Sequence, residues 1–169
     1  MIAEFQHWID QNLSSQKGKT ILITGGNSGI GYYAALALAK AGAHVVIAGR
    51  NPDKIDQAIK SIVAEGVAGH VEAGIVDLAS LESVRQYAAQ FVMDHSKLDI
   101  LINNAGVMMP PEGKTEDGFE SQFGVNFLGH FTLTGLLFDR LQSAAGSRLV
   151  TLISIAHNGA QIDFDNLLL

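Results

Sequence analysis

A glycine-rich segment near the start of the chain has residue types and spacing that suit phosphate binding. Residues 24–31 read Thr-Gly-Gly-Asn-Ser-Gly-Ile-Gly, after an apolar run at 20–23 and before a stretch with helical periodicity. A strand, a tight turn and a helix in this order present backbone N–H groups and the positive end of the helix dipole to a phosphate. We expect Gly25 to permit the turn, Gly29 to let the backbone approach a pyrophosphate, and Gly31 to bring the helix close to the strand. The alternative is a tight turn that binds nothing.

An arginine after the second apolar run indicates which dinucleotide the site would prefer. That run ends in Gly49-Arg50-Asn51, and no carboxylate follows until Asp53. An acidic residue at this place holds the ribose 2′-hydroxyl of NAD, whereas an arginine accommodates the 2′-phosphate of NADP. Because a guanidinium pairs bidentately with phosphate, Arg50 favours NADP; the alternative is a solvated arginine at a strand end. The missing carboxylate also counts against an S-adenosylmethionine methyltransferase, which we keep as a further alternative.

The elements that position these residues are apolar strands alternating with helices. The predicted strands cover 20–24, 43–48, 70–75, 98–102 and 148–153. The predicted helices cover 2–13, the stretch ending near Gly42, Pro52 to Gly66, the stretch from Ser80, and a long helix at 115–141. This alternation predicts right-handed crossovers and a parallel sheet, an α/β fold of the Rossmann-type, doubly wound class with strand order 3-2-1-4-5. Its ligands would bind beyond the carboxyl ends of the strands, near the crevice between strands 1 and 4.

Two packing faces and a domain boundary follow from the periodicity. The second helix is expected to bury the stripe Ile30, Ala34, Leu38 and Ala41. Residues 1–16 are predicted to be an amphipathic helix and connector, and residues 17–169 an NADP-binding domain. Trp8 would dock the N-terminal helix on the body; the alternatives for this helix are an appended partner and a membrane surface.

Composition excludes several classes of function. The chain has 169 residues, of which 47% are hydrophobic and 17% charged, as expected of a globular protein. Its net charge of −6 argues against nucleic-acid binding, and the absence of cysteine excludes disulfides and thiolate sites. No membrane span is expected, because the longest apolar stretch, 127–138, is too short; the predicted location is cytoplasmic. No metal site is expected, because no His-x-x-x-His pair occurs among the six histidines, His7, His44, His70, His95, His130 and His157.

Several further motifs, taken with residues 24–31, resemble the short-chain dehydrogenase/reductase family. Asp77-Leu78 resembles the acidic residue and its neighbour that contact the adenine ring. Residues 103–106, Asn-Asn-Ala-Gly, resemble the motif after the fourth strand that supports the sheet and lines the cofactor. Val125-Asn126 resembles the segment with the family's asparagine, and Ser154 stands where its active-site serine falls.

The resemblance is closest to the retinol-dehydrogenase-like branch in the segments 117–120 and 148–157. It implies hydride transfer between NADP and a small-molecule carbonyl or alcohol, with a lysine-acidified tyrosine as proton donor or acceptor. Ser154 would hold the substrate oxygen and Asn126 would support a water relay; the alternatives are a strand-end cap for Ser154 and a helix-kinking polar residue of the core for Asn126. The residues expected to bind the cofactor are Gly25, Asn27, Ser28, Gly29, Ile30, Gly31, Arg50, Asn51, Asp77, Leu78, Asn104, Ala105, Gly106 and Val125.

The sequence departs from the family at the Tyr-x-x-x-Lys pair expected beyond Ser154. It has three tyrosines, and none has a lysine four residues on. His157 is an alternative proton donor. The expectation is therefore the N-terminal part of a longer enzyme, without the last strands and the Tyr/Lys helix, or a truncated copy that relies on another chain. Since the long helix 115–141 is apolar on nearly all sides, we expect a homo-oligomer through it; the alternative function is a catalytically silent NADP-binding module that acts through a partner chain.

Overall fold

The structure is a computed structural model that describes residues 2–159, 161 and 163–164. Its strands are β1 (Thr20–Thr24), β2 (His44–Gly49), β3 (His70–Ile75), β4 (Ile100–Asn103) and β5 (Arg148–Thr151). Its helices are α1 (Ile2–Asn12), α2 (Gly29–Lys40), α3 (Pro52–Ala64), α4 (Leu81–Asp94), a π-helical segment (Phe123–Gly129), α5 (His130–Leu136), α6 (Phe138–Gln142) and a 3₁₀ turn (Ile155–His157). All strand pairs are parallel, in the order β3-β2-β1-β4-β5, which confirms the predicted fold class and strand order.

Both faces of the sheet are covered, because the side chains of β1 alternate between two apolar clusters. Leu22 belongs to the cluster on the α4 and α5 side, with Phe91 and Leu133. Ile21 and Ile23 belong to the cluster on the α2 and α3 side. A parallel strand that is buried on both faces is apolar at nearly every position, which explains why β1 is recognisable from its sequence.

The starts of α3 and α4 agree with the predicted helix starts, and a side chain caps each helix. The Asn51 side chain accepts a hydrogen bond from the Lys54 backbone N–H at 3.0 Å, and Pro52 is the first residue of α3. Ser80 caps α4 in the same way by accepting from the Ser83 N–H at 3.4 Å. Such caps satisfy N–H groups that have no partner within the helix, so the local sequence sets where both helices begin.

The stripe predicted for α2 is not its buried face. Ile30 is 71% exposed, and Ala34, Leu38 and Ala41 are only partly buried. The helix instead buries Gly31, Ala35, Leu36, Ala37 and Ala39. Three alanines and a glycine dominate this face and let α2 lie close to the sheet.

The N-terminal helix α1 docks on the body, but not through Trp8. Trp8 is 53% exposed, whereas Ile9 is 3% exposed. Phe5 meets the ring of Tyr33 edge-on, with the ring centroids 5.6 Å apart. The predicted docking is therefore confirmed, and its predicted anchor is wrong because Trp8 lies on the solvent side of α1.

The long helix predicted at 115–141 begins later and is interrupted. Residues 115–120 form a turn, in which Gly118 has a φ of +86° and Lys114 pairs with Glu120 in a short antiparallel bridge. The Glu120 carboxylate then accepts hydrogen bonds from the N–H groups of Gln122 at 2.8 Å and Phe123 at 2.7 Å, and so begins the helical segment. Another turn at Leu137 separates α5 from α6. Apolar periodicity does not report such local side-chain-to-backbone bonds.

The predicted bounds of β1 and β3 are confirmed, and those of the other three strands differ by one or two residues, as at β4, which covers Ile100–Asn103 rather than 98–102. At the sheet edge, all four residues of β5 are exposed, as expected for an uncovered strand. Within the described part of the chain, every helix is too short or too polar to traverse a lipid bilayer.

Candidate nucleotide-binding site

A cavity of about 540 Å³ opens at the carboxyl ends of the strands, at the crevice between β1 and β4. It contains twelve of the fourteen residues predicted to bind the cofactor: Gly25, Asn27, Ser28, Ile30, Arg50, Asn51, Asp77, Leu78, Asn104, Ala105, Gly106 and Val125. Of the two predicted catalytic residues, neither Asn126 nor Ser154 lines it. In open α/β sheets this edge is where ligands bind.

The other two predicted residues, Gly29 and Gly31, do not line the cavity and serve the loop through their backbones. At Gly31, a Cβ atom would lie 2.5 Å from the Gly25 carbonyl oxygen and 2.5 Å from Asn104 Nδ2. Gly25 has a φ of +67°, and a Cβ there would lie 3.0 Å from the Ala105 Cα. Both positions therefore require glycine, which confirms the tight turn and the close helix-to-strand contact expected from the spacing.

The start of α2 has the electrostatics of an anion site. Ser28 precedes the helix in an extended conformation, and its side chain makes no capping bond. The first turn of α2 contains no acidic residue, so nothing within it neutralises the positive end of the helix dipole. Backbone N–H groups without an intrahelical partner at the rim of a cavity are suited to a phosphate.

Two cationic side chains line the other side of the cavity, Arg50 and Lys54. Arg50 follows β2 directly and is exposed to the cavity opening. Lys54 lies one helical turn further, in the first turn of α3, and was not among the residues predicted to bind the cofactor. The sequence signal that could have identified Lys54 is its position four residues after Arg50, because residues at this spacing lie near each other at the start of a helix.

Asp77 closes the wall of the cavity after β3. Its carboxylate accepts from the Ala79 N–H at 2.9 Å, and its own N–H donates to Ser83 Oγ at 3.0 Å. These two bonds fix the turn into α4 and hold Val76 and Leu78 against the cavity. The turn is thus rigid at the place where the family resemblance implies a contact with the adenine ring.

The buried hydroxyl of Thr24, which also lines the cavity, joins β1 to the loop after β4. Thr24 Oγ1 accepts from the backbone N–H groups of Asn104 at 2.9 Å and Ala105 at 3.0 Å. It also lies 2.8 Å from His130 Nε2. A hydroxyl has two acceptor lone pairs and one hydrogen. The two backbone N–H groups use the lone pairs, and the hydrogen is donated to His130 Nε2 at 2.8 Å, which is a nearer acceptor than the Ile102 carbonyl at 3.4 Å. Thr24 is the first residue of the glycine motif, but the motif does not predict that its hydroxyl joins β1 to the loop after β4.

These bonds determine the protonation state of His130, which is 4% exposed. Because Nε2 accepts from Thr24, the proton of the ring is on Nδ1, which donates to the Asn126 carbonyl oxygen at 3.0 Å. Burial lowers the pKa of His130, and the bond to the Asn126 carbonyl opposes this only in part. His130 is therefore a neutral structural residue, and it connects β1 to the π-helical segment.

Asn126 lies in that π-helical segment, and its side chain positions the loop after β4. Its Oδ1 accepts from the Val107 N–H and its Nδ2 donates to the Val107 carbonyl, both at 2.8 Å. The side chain is exposed rather than in the core, so the alternative of a core polar residue is wrong. π-Helical turns occur often at functional sites, and this one directs Val125 into the cavity.

Ser154 follows β5, outside the cavity wall but two residues beyond Leu152, which lines it. Its carbonyl oxygen accepts from the His157 backbone N–H at 3.2 Å, within the short 3₁₀ turn. The Ser154 side chain is exposed. The structure therefore places Ser154 at the same edge of the sheet as the cavity.

Comparisons with known proteins agree with this geometry. A family model described as short chain dehydrogenase matches residues 19–164. Human retinol dehydrogenase 13 is 51% identical over 150 residues, which are 89% of this chain and 45% of that protein. This chain thus spans about half the length of the curated relatives it matches.

Two solved structures show the same fold. A protein of Mycobacterium paratuberculosis is 43% identical with a TM-score of 0.81, over 94% of this chain and 54% of that one. The RhlG/NADP active-site complex of Pseudomonas aeruginosa is 28% identical with a TM-score of 0.73, over 91% of this chain and 61% of that one. The retinol dehydrogenase match also confirms the predicted branch.

The His130 assignment predicts a loss of stability on acidification. Since the folded pKa lies below the ordinary value of 6.5, protonation favours the unfolded chain, and stability present above pH 6.5 is lost as the pH falls through the folded pKa. Long-range ¹H–¹⁵N spectra should show a neutral ring protonated on Nδ1 at pH 7. In urea unfolding, the free energy of unfolding should fall less between pH 7.5 and 5.5 for His130→Gln than for the unmodified protein. An Nε2-protonated ring, or titration at or above pH 6.5, would contradict the assignment.

Proposed function

Because the chain belongs to the short-chain dehydrogenase family, we propose that it binds NADP(H) in the cavity at the carboxyl ends of the strands. We propose further that it is the cofactor-binding part of an NADP-dependent oxidoreductase that acts on a carbonyl or an alcohol. The observation that carries this proposal is the pairing of Arg50 and Lys54 with the unneutralised start of α2 around one cavity. The family membership leaves no support for the methyltransferase alternative.

The residues present fit a dinucleotide with a 2′-phosphate. The glycine loop and the start of α2 would hold the pyrophosphate, since Gly25, Asn27, Ser28 and Ile30 line the cavity there. Arg50 and Lys54 would hold the 2′-phosphate, and the one carboxylate among the described residues that line the cavity, Asp77, follows β3 rather than β2. Support also comes from the RhlG/NADP complex, which shares this fold.

The substrate side of the proposal rests on Asn126 and Ser154. When bound, the nicotinamide supplies a hydride to, or takes one from, the substrate carbon. Ser154 would hold the substrate oxygen by a hydrogen bond, because it follows β5 at the edge where Leu152 lines the cavity. Asn126 would keep the loop after β4 in place through its two bonds to Val107. We therefore assign Ser154 a substrate contact and Asn126 a positioning function.

The alternative is a catalytically silent NADP-binding module that acts through a partner chain. It is favoured by one observation: none of the three tyrosines in these 169 residues has a lysine four positions on. Tyr32 and Tyr33 lie on α2 and Tyr87 lies on α4. Both functions require the same cofactor site and differ only in turnover. The cytoplasmic location and the domain boundary at residues 16 and 17 remain predictions from the sequence.

The cofactor assignment is tested by Arg50→Asp. Removal of a charge-assisted bond to the 2′-phosphate should weaken NADPH binding by roughly 10-fold or more, while NADH binding stays within about twofold. Isothermal titration calorimetry with both cofactors measures the difference. Lys54→Ala should also weaken NADPH binding more than NADH binding, but by a smaller factor. Arg85→Ala is the matched control, because Arg85 is an exposed arginine on α4 that pairs with Glu82. Equal losses for NADPH and NADH would contradict the function of Arg50.

Turnover separates the oxidoreductase from the silent module. A positioned proton donor contributes roughly 10²–10⁴-fold to such a reaction, so we expect residues 1–169 to oxidise NADPH slower by about that factor than a family member with the Tyr-Lys pair. The substrate panel should include retinaldehyde, since human retinol dehydrogenase 13 is named for the corresponding alcohol. Ser154→Ala should abolish the remaining NADPH consumption. Normal NADPH binding with no turnover would mean that these 169 residues are catalytically silent by themselves.

A homo-oligomer through the helical segment 123–138 is the proposed assembly. Phe127, Phe131 and Phe138 are all more than half exposed. Phe123, Phe127 and Phe131 form a stack, with ring centroids 5.3 and 5.9 Å apart. A contiguous apolar surface of this kind is typical of a protein interface.

Light scattering tests this assembly. The unmodified chain should have a multiple of its 18.0 kDa mass, and Phe131→Asp should reduce it to the monomer, because a carboxylate in the apolar interface is costly. Met93→Asp, at an equally exposed position on α4, should not. A monodisperse monomer of the unmodified chain would overturn the proposal.

A further inference from the structure

Four side chains with metal-binding chemistry converge at the amino ends of β2 and β3. His44 is the first residue of β2, His70 is the first residue of β3, and the two are direct neighbours in the sheet register. Glu72 lies two residues beyond His70 and so points to the same face of the sheet. His95, which follows the last residue of α4, packs on that face.

The distances suit a shared cation. His44 Nε2 lies 3.0 Å and His70 Nε2 lies 3.8 Å from the same oxygen of Glu72, Oε2. The three ligand atoms lie within 4.8 Å of one another. Ligand atoms on a tetrahedral Zn²⁺ are about 3.3 Å apart, because each is about 2.0–2.1 Å from the metal. The two nitrogen–oxygen distances are within roughly half an ångström of that value, and the remaining pair of ligand atoms would have to close by up to about 1.5 Å.

The pairing that the structure shows leaves one nitrogen unsatisfied. His44 Nε2 is buried and close to Glu72, yet it has no aligned hydrogen bond with any described residue. Glu72 is paired only with imidazoles among the described residues, with no lysine or arginine. A buried polar atom without a partner is costly, and a nitrogen lone pair that faces a carboxylate oxygen is the arrangement that a metal ion satisfies.

We propose that His44, His70 and Glu72 bind one divalent transition-metal ion with an affinity for nitrogen and oxygen ligands, such as Zn²⁺. A His₂Glu set is a known zinc ligand set that leaves a fourth position for water, and imidazole favours zinc, copper and nickel over magnesium or calcium. His95 is the positioning residue: its Nε2 lies 3.0 Å from the other carboxylate oxygen, Oε1, and fixes the orientation of Glu72.

The site would be structural rather than catalytic. β3 is the edge strand of the sheet, and the ion would connect it to β2 at the end where both strands begin. The cavity lies at the other end, where Gly49, the last residue of β2, lines it. The length of β2 separates the two sites by about 16 Å. Metal binding should therefore stabilise the native chain by mass action and leave NADPH affinity unchanged, so the inference does not depend on the proposed function.

The test is a metal titration of the full 169-residue chain, produced without a polyhistidine tag. Co²⁺ should produce visible d–d absorption that saturates at one ion per chain, and Zn²⁺ should displace it and raise the melting temperature. His70→Gln and Glu72→Gln should each weaken Zn²⁺ binding by about 100-fold or more. His70 is 70% side-chain exposed, so its replacement leaves the fold intact.

Two further variants decide between a metal site and a set of ion pairs. His7→Gln replaces an exposed histidine on α1, outside the cluster, and should retain full Zn²⁺ affinity. His95→Gln should weaken it by about 10-fold while one ion per chain still binds. Two results would overturn the proposal and establish the cluster as ion pairs only. One is that His70→Gln changes the Zn²⁺ affinity by no more than about twofold; the other is that no saturable binding occurs at one ion per chain.

Discussion

The hydroxyl of Thr24 is the interaction on which the cofactor edge of the sheet depends. It is fully buried and joins three elements: β1, the loop after β4 and, through His130, the π-helical segment. Its two acceptor sites and one hydrogen are all used, so no element can move without leaving a buried polar group unpaired. This constraint holds the carboxyl ends of β1 and β4 apart by a fixed amount, and the cavity lies at that crevice.

The chemistry of the cavity walls depends on the elements that the Thr24 hydrogen bonds hold together. Gly31 brings α2 against the loop after β4, where the Asn104 side chain donates to the Thr24 carbonyl at 2.9 Å. The positive end of α2 then faces the cavity, and Arg50 and Lys54 approach from the neighbouring strand and helix. Backbone dipoles and side-chain cations thus lie on separate walls of the cavity, an arrangement suited to a ligand with phosphates at two places.

The two ends of the parallel sheet have different chemistry for a common reason. In a parallel sheet all strands begin at one edge and end at the other, so residues at equivalent strand positions are brought together. The carboxyl edge collects glycines, amides and cations around the cavity. The amino edge collects His44, His70 and Glu72, and the end of α4 adds His95. The sheet register is therefore responsible for both clusters.

The sequence by itself determined the strand order, the starts of α3 and α4, and the side of the cavity formed by the glycine loop and Arg50, because these follow from local spacing and from the rule that ligands bind at strand ends. The rest of the predicted lining followed from the family resemblance: Asp77, Leu78, Asn104, Ala105, Gly106 and Val125. Only the tertiary structure decided the buried face of α2, the late start of the helix after Glu120, and the function of Thr24 and His130. It also decided the meeting of His44 and His70, which the absence of a short histidine motif had argued against. Those features depend on side-chain size at a contact and on register between strands distant in sequence, and neither quantity is encoded in the periodicity of a single segment.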